Sequence, residues 1–373
     1  MTEIHGKYAD ARVYADIIDS ASEGQIKALC DMPHVVGSKI CIMPDVHASK
    51  GCTVGTTMTL NGRVIPALVG VDIGCGMLVV RLREKRVRLP ELDSFIRKNI
   101  PGGSAVRAKP HRFAARAALD GLLCAEMTDL RRAGESMGTL GGGNHFIEID
   151  TDGEALYLVI HSGSRAPGGR VAEYYQALAY ERCGGRKQND IPYCFAYLEG
   201  DEMQAYLHDM NIMQDFARLN REAIAADILD GMKLRADDSF ATVHNYIDVG
   251  DGGQAILRKG AVSAKAGERL LIPMNMRDGS LLCTGLGNED WNMSAPHGAG
   301  RLMSRADARD HISVSEFKKA MSGIFTTSVS RATVDESPMA YKPPESIISN
   351  IGDTVAVDGI LRPIYNFKAG END

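Results

Sequence analysis

The chain has 373 residues, 44% of them hydrophobic, and a formal net charge of −6. That length and apolar content can fill a large core, in one large domain or two medium ones. The acidic total excludes a uniformly basic nucleic-acid coat, and the longest apolar run, VIPALVGVDIGCGMLVV, is too short and too rich in glycine to span a membrane and carries Asp72.

In chain order, short β-like runs dominate the first 80 residues: KICIMPDV, TVGTTMTL and MLVVRL. A helix follows in RLPELDSFIRKNI, opened by Pro90 and closed by the PGG at 101–103. Two β-like runs, NHFIEI and ALYLVIH, flank the turn signal TDGE. Helices are expected at 170–183, before Gly184, and at about 201–230, where Met203, Tyr206, Met210, Met213, Ala217 and Ile224 recur at helical spacing as core. Beyond 240 the chain returns to short β-like segments split by glycines. A late helix at about 314–322 has a capping-box start from Ser313 to Glu316 and a stop at Gly323. No linker separates two halves. Residues 1–373 are therefore expected to form a single α+β domain with substantial antiparallel sheet and flanking helices.

The cysteines are Cys30, Cys41, Cys52, Cys75, Cys124, Cys183, Cys194 and Cys283. None forms a CxxC pair and no secretory signal opens the chain, so a cytoplasmic protein with reduced thiols is expected. Charge is uneven. From Arg81 to Arg132 there are 13 Lys/Arg against 6 Asp/Glu, which is what a polyanion track, or equally a solvated helix face, would show.

Five residues in separate glycine-flanked segments carry metal-ligand chemistry. Asp72 and Cys75 lie three apart among Gly70, Gly74 and Gly76, where the backbone can fold tightly enough to converge a carboxylate and a thiolate; a cysteine there can also be plain core. If residue 153 is the hairpin centre, His145 and His161 are cross-strand partners with Cβ atoms ~5 Å apart, and one residue of slip would point them apart. His244 ends an apolar run beside Asn245. Thiolate plus imidazole suits Zn, Mn, Fe or Co and disfavours Ca and Mg, and a bridging thiolate can hold two ions for phosphoryl chemistry. Finally, SAPHGAGR places His297 at the head of a glycine-rich turn, where backbone N–H groups and Arg301 can hold a phosphate while the imidazole attacks it.

Taken together, MPDVHASKGCTVG, VGVDIGCGM, LGGGNHFIEI, VIHSGSR, VHNYID, RKGAVSA, SAPHGAGR, DESPMAYK and IYNFKAG resemble the RtcB-type RNA ligases, in family order from residue 43 to 370. The resemblance implies an RNA ligase that uses GTP and two Mn2+ ions to join 2′,3′-cyclic phosphate or 3′-phosphate ends to 5′-hydroxyl ends. It implies that His297 becomes guanylylated and that Cys75 bridges the ions, with His161 and His244 completing one ion's site and Asp72 and His145 the other's. Guanosine nucleotide would be held by Asn144, His145, Phe146, Ile147 and Glu148, by His244 and Asn245, by Pro273, Met274, Asn275 and Met276 with Ser280, by His297, Gly298, Ala299 and Gly300, and by Lys368. The partners expected are such RNA ends and GTP, with no membrane, and the protein is expected to be a monomer. Two departures mark a divergent, shorter branch: the chain reads PMNM (Pro273 to Met276) where the family usually has a PGSM-like turn, and Ala48 stands where a glycine is expected. Two other functions share these motifs: a nucleotidyltransferase that only caps 3′-phosphate ends with GMP, and a non-catalytic RNA-end binding protein. The presence of all five ligands, His297 and Lys368 favours the ligase.

Overall fold

The computed structural model describes residues 1–185, 190–250 and 254–370. The chain opens with β1 (Thr2–His5), β2 (Asp10–Val13), α1 (Ser20–Cys30), β3 (Ile40–His47), β4 (Val54–Thr59) and the short β5 (Arg63–Val64). Next come β6 (Gly76–Leu82), α2 (Leu89–Asn99), α3 (Leu130–Ser136), the hairpin β7 (Phe146–Thr151) and β8 (Leu156–Ser162), α4 (Arg165–Arg182), β9 (Leu198–Glu199) and α5 (Gly200–Met232). The remainder is β10 (Ala236–Val243), β11 (Asn245–Val249), β12 (Ala255–Lys259), β13 (Ala261–Ser263), β14 (Arg269–Asn275), β15 (Gly279–Gly285), β16 (Ser294–Pro296), α6 (Arg305–His311), α7 (Val314–Ala320), α8 (Pro344–Ile348) and β17 (Val355–Phe367).

The strands form a six-stranded sheet, β1-β2-β3-β4-β12-β11, and a seven-stranded sheet, β10-β6-β8-β7-β17-β15-β14. Pairing is antiparallel except between β2 and β3. The α+β expectation holds. The sheets meet in sequence at one residue: His244 lies between β10, at one edge of the larger sheet, and β11, at one edge of the smaller. The candidate site is built around this seam.

β3 is buried at every position but its last, as a continuous apolar run predicts. Its ladder with β4 loses register between Ile42 and His47. Pro44, which has no N–H to donate, lies in that stretch, and the irregularity frees Asp45 from the ladder. Helix α5 is the spine: its 33 residues rise about 50 Å. Tyr206, Met210, Met213 and Phe216 enter the core beside the smaller sheet, and Ile224, Ala225 and Ile228 enter the core under the larger one. Ser313 does cap α7, through a reciprocal box with Glu316. No helix of the described residues is long and apolar enough to cross a membrane.

One expectation here needs correction. In the β7–β8 hairpin His161 pairs with Phe146, not His145, because the loop has four residues and joins Thr151 to Leu156. Asp152 caps that loop by accepting from the N–H groups of Glu154 and Ala155 at 2.8 and 2.7 Å, which moves the centre half a residue past Gly153. The basic stretch is partly neutralised in place, as its reading as a solvated face implies. Arg81 meets Asp237, Arg107 meets Asp227, Arg112 meets Asp230 and Arg116 meets Glu222, so acids of α5 and β10 supply the countercharges. Arg107 also donates to the carbonyls of Met137 and Gly138 and serves the fold.

Candidate active site

The loop between β5 and β6 explains why VIPALVGVDIGCGMLVV is not one element. Val69 and Ile73 are buried, whereas Val71 is 66% exposed, so the chain turns at the surface and re-enters at Cys75. Gly74 takes φ +71°, and a Cβ there would lie 2.8 Å from the Gln214 Cα of α5. Only glycine lets the loop lie this close to the helix.

Cys75 Sγ sits 3.4 Å from His145 Nε2 and 3.3 Å from His161 Nε2, and His145 Nε2 sits 3.1 Å from Asp72 Oδ2. His145 reaches this point despite the register because it precedes the first paired residue of β7 and escapes the strand's alternation. Two groups result, Cys75 with His161 and His244, and Asp72 with Cys75 and His145, each with ligand atoms within 4.8 Å of one another. The hydrogen bonding shows what they can hold. His145 Nδ1 donates to the Leu140 carbonyl at 2.9 Å and His161 Nδ1 to the Asn144 carbonyl at 3.1 Å, since a carbonyl can only accept. His161 Nε2 therefore faces the Cys75 sulfur with its lone pair, and His145 Nε2 lies between that sulfur and the Asp72 carboxylate, where either a proton or a cation would join them. His244 Nδ1 is buried and has no hydrogen-bond partner among the described residues. Such a surplus of lone pairs, with one thiol proton among them, fits a cation, and the sulfur and imidazole donors suit a transition ion rather than Ca or Mg.

Burial and neighbouring charges set the proton affinities of these groups. Burial raises the Cys75 thiol well above its ordinary value and Asp72 raises it further. Burial also works to raise Asp72, but its hydrogen bond to His145 and the charges of His145 and Arg165 hold it well below the usual carboxylate range. Burial, then neighbouring histidines, keep His161 and His244 far below theirs. A bound cation would reverse the Cys75 shift.

His297 follows β16, and its ring is 4.8 Å from that of His244. Asp45 fixes it: one carboxylate oxygen accepts from His297 Nδ1 at 2.6 Å and from the His297 backbone N–H at 3.1 Å. The ring is thereby held as the Nδ1–H tautomer with Nε2 free to act as a base or nucleophile. Gly300, at φ +73°, lets the HGAG turn cross the Asp45 carbonyl, where a Cβ would come within 2.2 Å. The role of Arg301 differs from the expected one. Its guanidinium is committed to the Met303 carbonyl, the Asp335 carbonyl and Glu336, and the Ala299 N–H goes to the Pro273 carbonyl, so neither is open to a phosphate.

The group of Cys75, His161 and His244 opens, through its two histidines, on a cavity of about 870 Å³, which Asp72, Cys75 and His145 do not line. Asn144, Phe146, Glu148, His161, His244, the segments 273–276 and 297–300, and Lys368 line it. Ile147, Asn245 and Ser280 do not. Ile147 alternates into the core under the larger sheet, and Asn245 ties Gly260 N–H to the Asp72 carbonyl. Ser280 is fully buried opposite Pro273. Met274 is buried and Asn275 caps the β14–β15 turn by accepting from the N–H groups of Arg277 and Asp278. Lys368 Nζ bonds the Asn144 carbonyl at 3.1 Å and Glu336 at 3.0 Å. Burial pushes Glu148 up to about 7, against a hydrogen bond from Asn366 and the charge of Lys368.

Sequence reasoning passed over Asp45, although it stands in the quoted MPDVH, and Arg165. Arg165 has φ +57°, rare for a side-chain-bearing residue, and its guanidinium reaches within 3.4 Å of His145 Nδ1. The available signals were an acid inside a buried strand and the arginine closing VIHSGSR.

A family model described as tRNA-splicing ligase RtcB matches residues 25–128 and 124–369. The chain is 32% identical to RNA-splicing ligase RtcB of Escherichia coli K12, over 94% of this chain and 95% of the relative. It is 28% identical to tRNA-splicing ligase RtcB of Aeropyrum pernix, over 95% of this chain and 94% of the relative. With its buried Cys–His–Asp cluster and its aspartate-held histidine on one cavity, the chain belongs to the RtcB family.

Proposed function

We propose that the chain is a GTP- and Mn2+-dependent RNA ligase that joins 3′-phosphate or 2′,3′-cyclic phosphate ends to 5′-hydroxyl ends through a guanylylated His297. The observation that carries this reading is the pairing of His297 with Asp45 at 2.6 Å, beside the ligand cluster and facing the cavity. Residues 1–373 act as one ligase domain, as a cytoplasmic monomer.

Cys75, His161 and His244 would hold one divalent ion and Asp72, Cys75 and His145 the other. Bound there, such ions offset the negative charge that builds up on a phosphate under attack. His297 Nε2 attacks the α-phosphorus of GTP; the P–N bond forms, the bond to pyrophosphate breaks, and Asp45 stabilises the charge left on the imidazole. Phe146 and Met274 offer apolar surface to the nucleoside, while Glu148 and Lys368 offer an acceptor and a donor. The RNA 3′-phosphate then displaces His297 and takes the GMP. The 5′-hydroxyl attacks the activated 3′-phosphate, loses its proton, and GMP leaves. Opening of a cyclic end precedes these steps by addition of water.

The test uses α-labelled GTP with Mn2+ and the full chain. Acid-labile, base-stable label on the wild type, absent from His297→Ala, is expected, together with joined product when both RNA ends are supplied. Label without joining would make the protein a capping nucleotidyltransferase, and no label with RNA binding retained would make it an RNA-end binder. Undiminished label on His297→Ala would move the nucleophile elsewhere.

A further inference from the structure

The five proposed ligands come from segments far apart in the chain, and their side chains converge. Direct contacts between protein groups help to hold those segments together. The contacts lead to two consecutive residues of α5, Asn220 and Arg221, both buried.

Asn220 uses every hydrogen-bonding site it has. Its carbonyl oxygen accepts from Gly138 N–H at 2.7 Å and Thr139 N–H at 3.1 Å. Its amide donates to the Thr139 carbonyl at 3.1 Å, Ser162 Oγ at 3.0 Å and the Gly163 carbonyl at 3.1 Å. One side chain thus joins the loop that leads to His145 with the segment that follows His161. The connection continues: Ser162 Oγ donates to the Leu140 carbonyl at 2.8 Å, and that same carbonyl accepts from His145 Nδ1 at 2.9 Å.

Arg221 does the same for the third segment. One of its terminal nitrogens donates to the Gly74 carbonyl and to the Ser162 carbonyl, both at 2.8 Å. Residues 214, 217 and 221 share a helix face, and Gln214 and Ala217 are the residues that Gly74 packs against. The other terminal nitrogen of Arg221 is buried and has no hydrogen-bond partner among the described residues. An unpartnered buried donor of this kind is costly to keep.

We infer that Asn220 and Arg221 are positioning residues that set the spacing of the two halves of a binuclear metal centre: Arg221 ties Cys75 to His161, and Asn220, through Ser162 and Leu140, ties His145 to both. This rests on the proposed metal reading of the cluster and goes beyond it, because it says where the distance between the ions is determined. It also predicts an asymmetry. His244 is placed by the Cys75 carbonyl, which accepts its N–H at 3.0 Å, and not by Asn220. Losing Asn220 should therefore weaken the group of Asp72, Cys75 and His145 and spare the group of Cys75, His161 and His244.

The experiment is titration of the metal-free full-length protein with Co2+, followed by calorimetry and by the sulfur-to-cobalt charge-transfer absorption. Wild type should take two ions, and Cys75→Ser should lose the absorption. Asn220→Ala should keep one ion and the absorption, with affinity for the second ion falling about 10–100-fold. Ser162→Ala deletes a single buried oxygen of the same network and reports on the connection if Asn220→Ala does not fold. It should show the same selective loss, more mildly. Arg221→Lys, which keeps the charge but not the paired contacts, should shift the absorption for both ions. A general structural role would lower thermal stability without changing the stoichiometry. Two ions bound with wild-type affinities by folded Asn220→Ala, or by Ser162→Ala, would overturn the clamp while leaving the metal reading intact. A wild type that binds no Co2+, or binds it equally well without Cys75, would overturn both.

Discussion

At the scale of single residues, the site depends on protons being in definite places. His145 and His161 spend Nδ1–H on carbonyls and His297 spends its own on Asp45, so in each imidazole Nε2 is the nitrogen left for other partners. Glu148 is the carboxyl on the cavity wall that burial holds near neutrality, and behind it burial and then the charge of Glu148 keep Asp150 well above its ordinary range, with both oxygens unpartnered. Glu148 moves from 4.5 to about 7 on folding, so between those values the native state keeps a proton that the unfolded chain releases. Stability is then lost as pH rises through about 7, and it is fully present only below about 4.5. Glu148→Gln cannot titrate. Thermal unfolding of the metal-free protein should show Glu148→Gln gaining on wild type at pH 8 and the gap narrowing by pH 6. A gap independent of pH would mean that Glu148 is ionised throughout.

At the scale of elements, the turn at Gly74 is where packing and chemistry meet. Its positive φ and its 2.8 Å approach to the backbone of α5 leave no room for a side chain, and a helix cannot yield as a flexible side chain can. Gly74→Ala should cost about 1–3 kcal/mol in chemical denaturation, from steric overlap and left-handed strain combined. It should also weaken Co2+ binding, because Asp72 and Cys75 flank the turn. Normal stability would show that the loop can shift off the helix. The segment 81–132 illustrates the opposite outcome at this scale. Its charge looked available to a polyanion, but α5 and β10 answer it with Asp227, Asp230, Glu222 and Asp237. Exposed pairs of this kind contribute ~0–1 kcal/mol each, so the pairing adds little to the stability of the fold.

At the scale of the whole molecule, the site is a junction between sheets. Asp45 and His47 come from the six-stranded sheet, Phe146, Glu148 and His161 from the seven-stranded one, and His244 from the link between them. Ions bound to the cluster would join parts of the chain that otherwise meet through loops. Free Mn2+ at 100 times its dissociation constant should add about 2.7 kcal/mol of apparent stability per site. Calorimetry with Mn2+ against a chelator control should show a higher Tm for wild type and no shift for a Cys75→Ser, His244→Ala double variant. An equal shift in the double variant would place the stabilising ion elsewhere.

The sequence by itself determined what is local or chemically unusual. Pro90, the Ser313–Glu316 box and the glycine stops place helix ends because caps act within one turn. The glycine-flanked Asp72, Cys75 and His297 stand out because so few other roles need those residue types together. Tertiary structure alone decided the rest. The hairpin register turned on how Asp152 caps its loop, and His145 reaches the cluster only because it lies outside the ladder. Arg301 became a structural residue because Asp335 and Glu336 fold against it from more than thirty residues away. Asp45 met His297 across 252 positions, and Asn220 and Arg221 met three loops at once. Those contacts are long-range, and hydrogen bonds between buried groups form only where the packed backbone brings donor and acceptor within about 3 Å. Residue pattern along the chain holds no record of that distance.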